Sequence, residues 1–344
     1  MEVAKAIKVK LKSTPRSEPG GVRPGRGVLS LRDLAVMEDS LPPIHFEVDG
    51  TLIITDSTRD DLAIFTSGAN APANRTALEN AARHVVRVDI KNRSNVGTAV
   101  MVARGVAATC RHVITEFASP KVGGTQDQFW DLDASREPSL VLTAGHGAPE
   151  TAVAVTGILL AADHMPLPGN SGQINYSKPE IAFVTFDPAP LAIPDPTISF
   201  GHDFAPPFSR AVAVIGFPSR DYAQICADAG LEGEYFQRVF DKMTSVFGPA
   251  KTAAPWQKCA GIGVMSHPVG SAAPNKKRLF APHSAPTLPG ASGGAVIDLT
   301  TGKLAGIHCS GQNFITNFSQ LFHVLKVKPA GYPNLKAYLN TLLV

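Results

Sequence analysis

Cysteine is scarce in this chain: Cys110, Cys226, Cys259 and Cys309 are the four among 344 residues. That is too few for a disulfide scaffold at this length, and no C-x-x-C spacing occurs, so no metal-ligand pattern of that kind is present. The expected state is four free thiols, mostly buried, in a reducing compartment. Cys110 and Cys309 neighbour motifs described below, but nothing in the sequence supports a redox role. Long apolar runs are also lacking. The stretch 153–162 falls well short of the ~20 residues needed to cross a bilayer. The basic start, MEVAKAIKVKLK, leads into no apolar h-region, so no secretory signal is read and a cytoplasmic chain is expected. An excess of charge of one sign is missing too. Lys and Arg total 32 against 29 Asp and Glu, a formal net charge of +3. This is too small for a nucleic-acid binder. No metal and no organic cofactor is implied.

What the chain does have is turn chemistry and short apolar segments. Glycine (30) and proline (28) are both somewhat high, which suits many short strands joined by turns. Residues 1–27 are rich in Lys, Arg, Pro and Gly and read as a solvated tail. Around Asp49-Gly50, residues 45–54 alternate as a hairpin does. Residues 76–84 read as a short helix, with Thr76 as N-cap and Glu79 three residues on. Strands are predicted over 85–90, 97–102, 106–110, 139–143, 153–160, 180–186, 211–217, 294–298 and 303–308. The fold class is therefore all-β, a barrel or sandwich, with a polar, partly helical insertion near 220–250. We divide the chain into an N-terminal extension (1–75) and a main domain (76–344).

The strongest local signal is Thr287-Leu-Pro-Gly-Ala-Ser-Gly-Gly, followed by Leu304-Ala-Gly-Ile-His-Cys. Glycines on both sides let Ser292 sit in a tight turn with its hydroxyl exposed. A hydroxyl is a poor nucleophile until a base takes its proton. The candidate base is His112, where an apolar strand ends in Thr109-Cys-Arg-His. Gly290-Ala-Ser-Gly-Gly294 also fits G-x-S-x-G. However, a nucleophile elbow runs into a helix, whereas 294–298 and 303–308 read as a hairpin. In addition, only 52 residues follow Ser292 to supply an acid and a histidine, and no βαβ pattern precedes it.

Gly97-Thr-Ala-Val-Met-Val with Ala108-Thr-Cys-Arg-His-Val resembles the histidine block of trypsin-like proteases, and Pro289-Gly-Ala-Ser-Gly-Gly with Leu304-Ala-Gly-Ile-His resembles their serine block. Ala211-Val-Ala-Val-Ile-Gly-Phe-Pro is similar to a further strand of the bacterial V8-like glutamyl endopeptidases, the branch most alike. The resemblance covers about residues 85–325. It implies two six-stranded antiparallel β-barrels of chymotrypsin type and a serine endopeptidase with His112 as base and Ser292 as nucleophile. The acid position, usually Asp, falls on Glu180 in Lys178-Pro-Glu-Ile-Ala-Phe; Asp163 and Asp187 remain open as substitutes. The oxyanion hole implied is the backbone N–H of Gly290 and Ser292, with Ala291 in place of the commoner Asn or Asp.

The family reads a basic P1 side chain with an Asp six residues before the serine, and Pro286 stands there. Thr287 and His308 match the positions that meet a P1 Glu or Gln in glutamyl endopeptidases and viral 3C proteases. P1 Glu, then Gln, is the specificity expected. The expected partner is a protein or peptide substrate, with a dedicated partner docking on residues 1–75. The competing function is an inactive pseudoprotease used as a binding module, motivated by Glu180 and Ala291.

Overall fold

The computed structural model describes residues 44–48, 51–53, 71–121, 127–128, 130–142, 150–162, 178–191, 210–217, 258–265, 279–285, 287, 290–312, 316–327 and 332–342. The strands in chain order are β1 (Ile44–Val48), β2 (Thr51–Ile53), β3 (Val85–Ile90), β4 (Arg93–Ala103), β5 (Val106–Cys110), β6 (Ala118–Pro120), β7 (Asp127–Gln128), β8 (Trp130–Leu132), β9 (Ser139–Leu142), β10 (Thr151–Ala162), β11 (Ile181–Phe186), β12 (Ala211–Gly216), β13 (Cys259–Val264), β14 (Phe280–His283), β15 (Ala295–Asp298), β16 (Lys303–Gln312) and β17 (Thr316–Leu321). The α-helices are α1 (Ala71–Ala82), α2 (Arg111–Ile114), α3 (Phe322–Val327) and α4 (Pro333–Leu342).

The first sheet runs β11-β5-β4-β3-β9-β10 and closes on itself through β10 and β11, with β7 added beside β10. Closure leaves no free edge among these six strands. The second sheet runs β14-β17-β16-β15-β12-β13-β1-β2. One bridge, Met265 to His283, brings the end of β13 back to β14. Along the remainder of that edge β13 pairs instead with β1, Phe46 opposite Cys259. The outcome is the expected two-barrel, chymotrypsin-like fold, with a closed first barrel and a second that is open where the β1–β2 hairpin enters. The hairpin predicted around Asp49-Gly50 is that entering pair.

Strands β11 (IAFVTF), β12 (AVAVIG) and β15 (AVID) are buried at almost every position. This accounts for their near-continuous apolar sequences. Strand β3 hides Arg87 as well, which forks onto Asp89 (2.8 Å from each of two nitrogens) and Glu150 (2.7 and 2.9 Å). A guanidinium is tolerated at that depth because both its faces are paired. Helix α4 returns to the first barrel: Leu335 and Leu339 are buried, and the Tyr338 ring meets Phe183 edge-on at 4.7 Å.

Two expectations need amendment. The helix starts at Ala71, not 76, so Thr76 lies inside it and does not cap it. Pro72 occupies the first turn, where a missing N–H is harmless. Glu79 pairs with Arg75 one turn back at 3.0 Å. Glu180 immediately precedes β11 rather than opening it. Strands β6, β7, β8, β13, β14 and β17 and helices α2, α3 and α4 were not foreseen. The tail over 1–27 and the insertion near 220–250 lie outside the described residues. Among the described residues no helix is long and apolar enough to cross a membrane.

Candidate active site

Strand register brings the first two candidate residues together. Strand β5 pairs with β11 so that Cys110 faces Ile181. One step further, Arg111 stands opposite Glu180, and its N–H donates to the Glu180 carbonyl at 3.1 Å. The chain then turns out of the strand into the single turn of α2, with Cys110 still extended (φ −75°, ψ 145°). His112 is thereby lifted over the Glu180 carboxylate. Glu180 Oε1 accepts from the His112 backbone N–H at 2.8 Å and from Nδ1–H at 3.0 Å. A carboxylate only accepts, so this contact assigns the proton to Nδ1 and leaves Nε2 as the free base. Glu180 is 1% exposed, while the His112 ring is 38% exposed. From the second barrel, Gln320 accepts the Glu180 N–H at 2.7 Å and donates to the Lys178 carbonyl at 3.2 Å. Asp187 lies exposed at the far end of β11, accepting from the Ala189 N–H. Asp163 lies outside the described residues.

Ser292 comes from the second barrel, on the turn before β15. Gly290 (φ 95°) and Gly293 (φ 89°) hold left-handed backbone that other residues rarely adopt. At Gly293 a Cβ would come within 1.9 Å of the Thr98 carbonyl. Thr98 of β4 fastens this turn to the first barrel: its N–H donates to the Ser292 carbonyl (2.8 Å) and its hydroxyl to the Gly290 carbonyl (2.8 Å). The same hydroxyl accepts from the Phe217 N–H at 3.0 Å. Gly97 has no room for a side chain beside Val113 and the Ser292 carbonyl. The Gly-Thr pair of the histidine block thus serves as the clasp between barrels. The Ser292 hydroxyl donates to the Cys309 carbonyl at 3.4 Å. Its amide meets no acceptor among the described residues.

His308 of β16 is tied to this turn. Its N–H donates to the Gly294 carbonyl (2.8 Å), and its own carbonyl accepts from the Gly293 N–H (2.7 Å) and the Cys110 thiol (3.1 Å). Behind it lies His283 of β14, with His308 Nδ1 3.4 Å from His283 Nε2. Burial holds the His308 ring well below the usual imidazole range, and the neighbouring His283 and His112 push the same way. Burial also drives His283 down to about 3. Both rings are therefore neutral at physiological pH. Thr287 is half-buried on the approach to the serine turn, and Pro286 lies outside the described residues. Cys110, Cys259 and Cys309 are buried free thiols, and Cys226 lies outside the described residues.

A sequence profile of the trypsin-like peptidase domain matches residues 97–307, more than half of the chain. The chain belongs to the trypsin-like peptidase family. Its chemical class is that of a serine endopeptidase. No curated protein matches the peptidase. Among solved structures it is similar to the serine endoprotease from Yersinia pestis, at 15% identity and a TM-score of 0.42, covering 78% of the peptidase and 66% of that chain. It is similar to Rv3671c from M. tuberculosis H37Rv in an inactive mutant form, at 13% identity and a TM-score of 0.40, covering 80% of the peptidase and 95% of that chain. A third is Deg5, at 14% identity and a TM-score of 0.43, covering 74% and 90%.

Sequence reasoning missed four residues of this neighbourhood: Thr98, Arg111, His283 and Gln320. Thr98 was in view as part of a motif, without a role. His283 sits in Phe280-Ala-Pro-His, where Pro282 argues against a strand, and no spacing links it to His308. Among the described residues no group of three or more His, Cys, Asp or Glu comes together to hold a metal.

Proposed function

We propose that the peptidase cleaves peptide bonds through His112, Glu180 and Ser292. The observation that supports this best is the double hold of Glu180 Oε1 on the backbone and ring of His112. On this reading Ser292 Oγ attacks the scissile carbonyl carbon while its proton passes to His112 Nε2. Glu180 stabilises the imidazolium and keeps the ring oriented. The oxyanion receives the N–H groups of Gly290 and Ser292, each donor contributing about 3 kcal/mol. Collapse expels the amine, which takes the proton from His112. Water then enters by the same route and releases the acyl group. Intact-mass labelling with a fluorophosphonate tests the assignment. We expect one adduct on the wild type, none on Ser292→Ala or His112→Ala, and labelling of Glu180→Gln slowed about 10⁴-fold, as befits loss of the orienting carboxylate. Equal labelling of Glu180→Gln would refute the acid.

For substrate choice, Thr287 and His308 meet a P1 Glu, or Gln, as in V8-like glutamyl endopeptidases. The reading requires the neutral His308 ring to carry its N–H on Nε2, as a donor to a side-chain carbonyl oxygen. A peptide library should show Glu and Gln enriched at P1, and His308→Ala should abolish the enrichment. Enrichment of apolar or basic P1 residues excludes it. The free thiols fit a cytoplasmic enzyme. Residues 1–75 are read as an extension that docks a dedicated protein partner through the part ahead of the β1–β2 hairpin, which itself joins the sheet of the second barrel, and 76–344 as the rest of the protease domain. Indiscriminate cutting of a whole proteome argues against a dedicated substrate.

A second reading, a binding module of the same fold, draws on the Ser292 hydroxyl facing the Cys309 carbonyl. A well-folded wild type that never labels favours it.

A further inference from the structure

Glu180 differs from the usual acid by one methylene, so its carboxylate has one more torsion to fix before Oε1 can face His112. The second oxygen is where the structure supplies that restraint. Arg111 Nε donates to Glu180 Oε2 at 3.3 Å, both side chains being almost sealed from solvent (9% and 1% exposed). The Arg111 N–H holds the Glu180 carbonyl at the same time. One arginine therefore grips the backbone and side chain of the acid while its sequence neighbour, His112, takes the other oxygen.

We propose that Arg111 is a positioning residue for catalysis: it locks the Glu180 carboxylate with Oε1 toward His112 and, through its fixed charge, keeps that carboxylate ionised in a dry site. The inference rests on the reading of Glu180 as the triad acid. Among the described residues, the charged and titratable neighbours on the packed elements leave this task to Arg111. From β5, the Cys110 thiol is kept protonated, chiefly by burial. From β16 and β14, His308 and His283 are neutral, and Cys309 is a free thiol. From β17, Gln320 is uncharged. The Lys178 ammonium is engaged over the Tyr332 ring at 6.0 Å. A buried carboxylate without a cation is driven toward its neutral form. Removing the guanidinium also makes it easier for the Glu180–His112 unit to take up a proton, which silences the base.

The test uses the full chain and the second-order rate of fluorophosphonate adduct formation across about pH 5–9, where a histidine base titrates, for wild type, Arg111→Gln, Arg111→Lys and Glu180→Gln. We expect Arg111→Gln to lower the plateau rate and move the acid limb up by about one pH unit, the scale of losing one close opposite charge. Arg111→Lys keeps the charge but not the guanidinium geometry, and should leave the limb in place while lowering the plateau. If Glu180→Gln is slow and the limb of folded Arg111→Gln stays at the wild-type pH, the role of Arg111 is overturned and the triad stands. If Glu180→Gln labels at the wild-type rate, the triad reading itself falls. Should Arg111→Gln not fold, Arg111→Lys decides: a lowered plateau at an unmoved limb supports the lock, and a wild-type plateau removes it.

Discussion

The surroundings of Glu180 remove the freedom of its longer side chain, which is what its proposed use as an acid requires. Four hydrogen bonds to residues 111, 112 and 320 hold its two carboxylate oxygens, its carbonyl and its N–H, besides the contact with the imidazole. Of this arrangement, His112, Glu180 and Ser292 were the residues singled out in the sequence, by a histidine at a strand end, a serine between glycines and the likeness of their segments to trypsin-like proteases. Arg111 and His283 were not. Their roles depend on a register between β5 and β11 and on a strand containing proline, and neither leaves a periodic signature. The histidine pair has its own pH consequence. His283 is held near 3 in the folded protein, while a free imidazole titrates near 6.5. Between those limits the unfolded chain binds a proton that the folded one refuses, so acidification destabilises the fold. The loss is about 1.4 kcal/mol per pH unit for one ring. Denaturant unfolding at pH 7 and pH 5 should show His283→Gln losing about 2 kcal/mol less than the wild type over that interval; equal losses would refute this.

At the scale of elements, the turn from Gly290 to Gly294 carries more constraint than its length suggests. It carries Ser292 and lies flat against β4, fastened by Thr98. The close approach to β4 falls on Gly293, with φ 89° and the Thr98 carbonyl in the space a methyl would fill. Gly293→Ala should therefore cost about 3 kcal/mol or more, from left-handed strain and displacement of β4, together with loss of fluorophosphonate labelling. A wild-type denaturation midpoint would show that the turn relaxes freely. The strands with continuous apolar runs were readable, since burial on both faces leaves that mark. β14 was not, because Pro282 cannot donate to a ladder. It is tolerated in a strand that pairs along its length with β17 and touches β13 by one bridge. Strand β13, Cys-Ala-Gly-Ile-Gly-Val, hid behind two glycines.

At the scale of the whole molecule, the all-β class followed from strand density, while the two-barrel architecture came from the resemblance of the histidine and serine blocks, in that order, to those of trypsin-like proteases. The place of the N-terminal hairpin followed from neither, because nothing local to residues 44–53 says which distant edge they join. That edge is β13. A chain trimmed to residues 71–344, with α1 kept whole, would bare it, leaving unpaired N–H and C=O groups beside the open side of the second barrel. We expect the trimmed form to melt lower and to associate at high concentration, as read by calorimetry and light scattering; an unchanged melting temperature would make the hairpin dispensable. The same pairing sets a schedule during synthesis. Phe46 leaves the ribosome more than two hundred residues before Cys259, its partner. At about 5–20 residues per second, the hairpin waits roughly 10–40 s for the strand it will lie against. The first barrel is complete in sequence by Phe186. The hairpin, made ahead of the first barrel, thus meets its neighbour only after that barrel is complete in sequence.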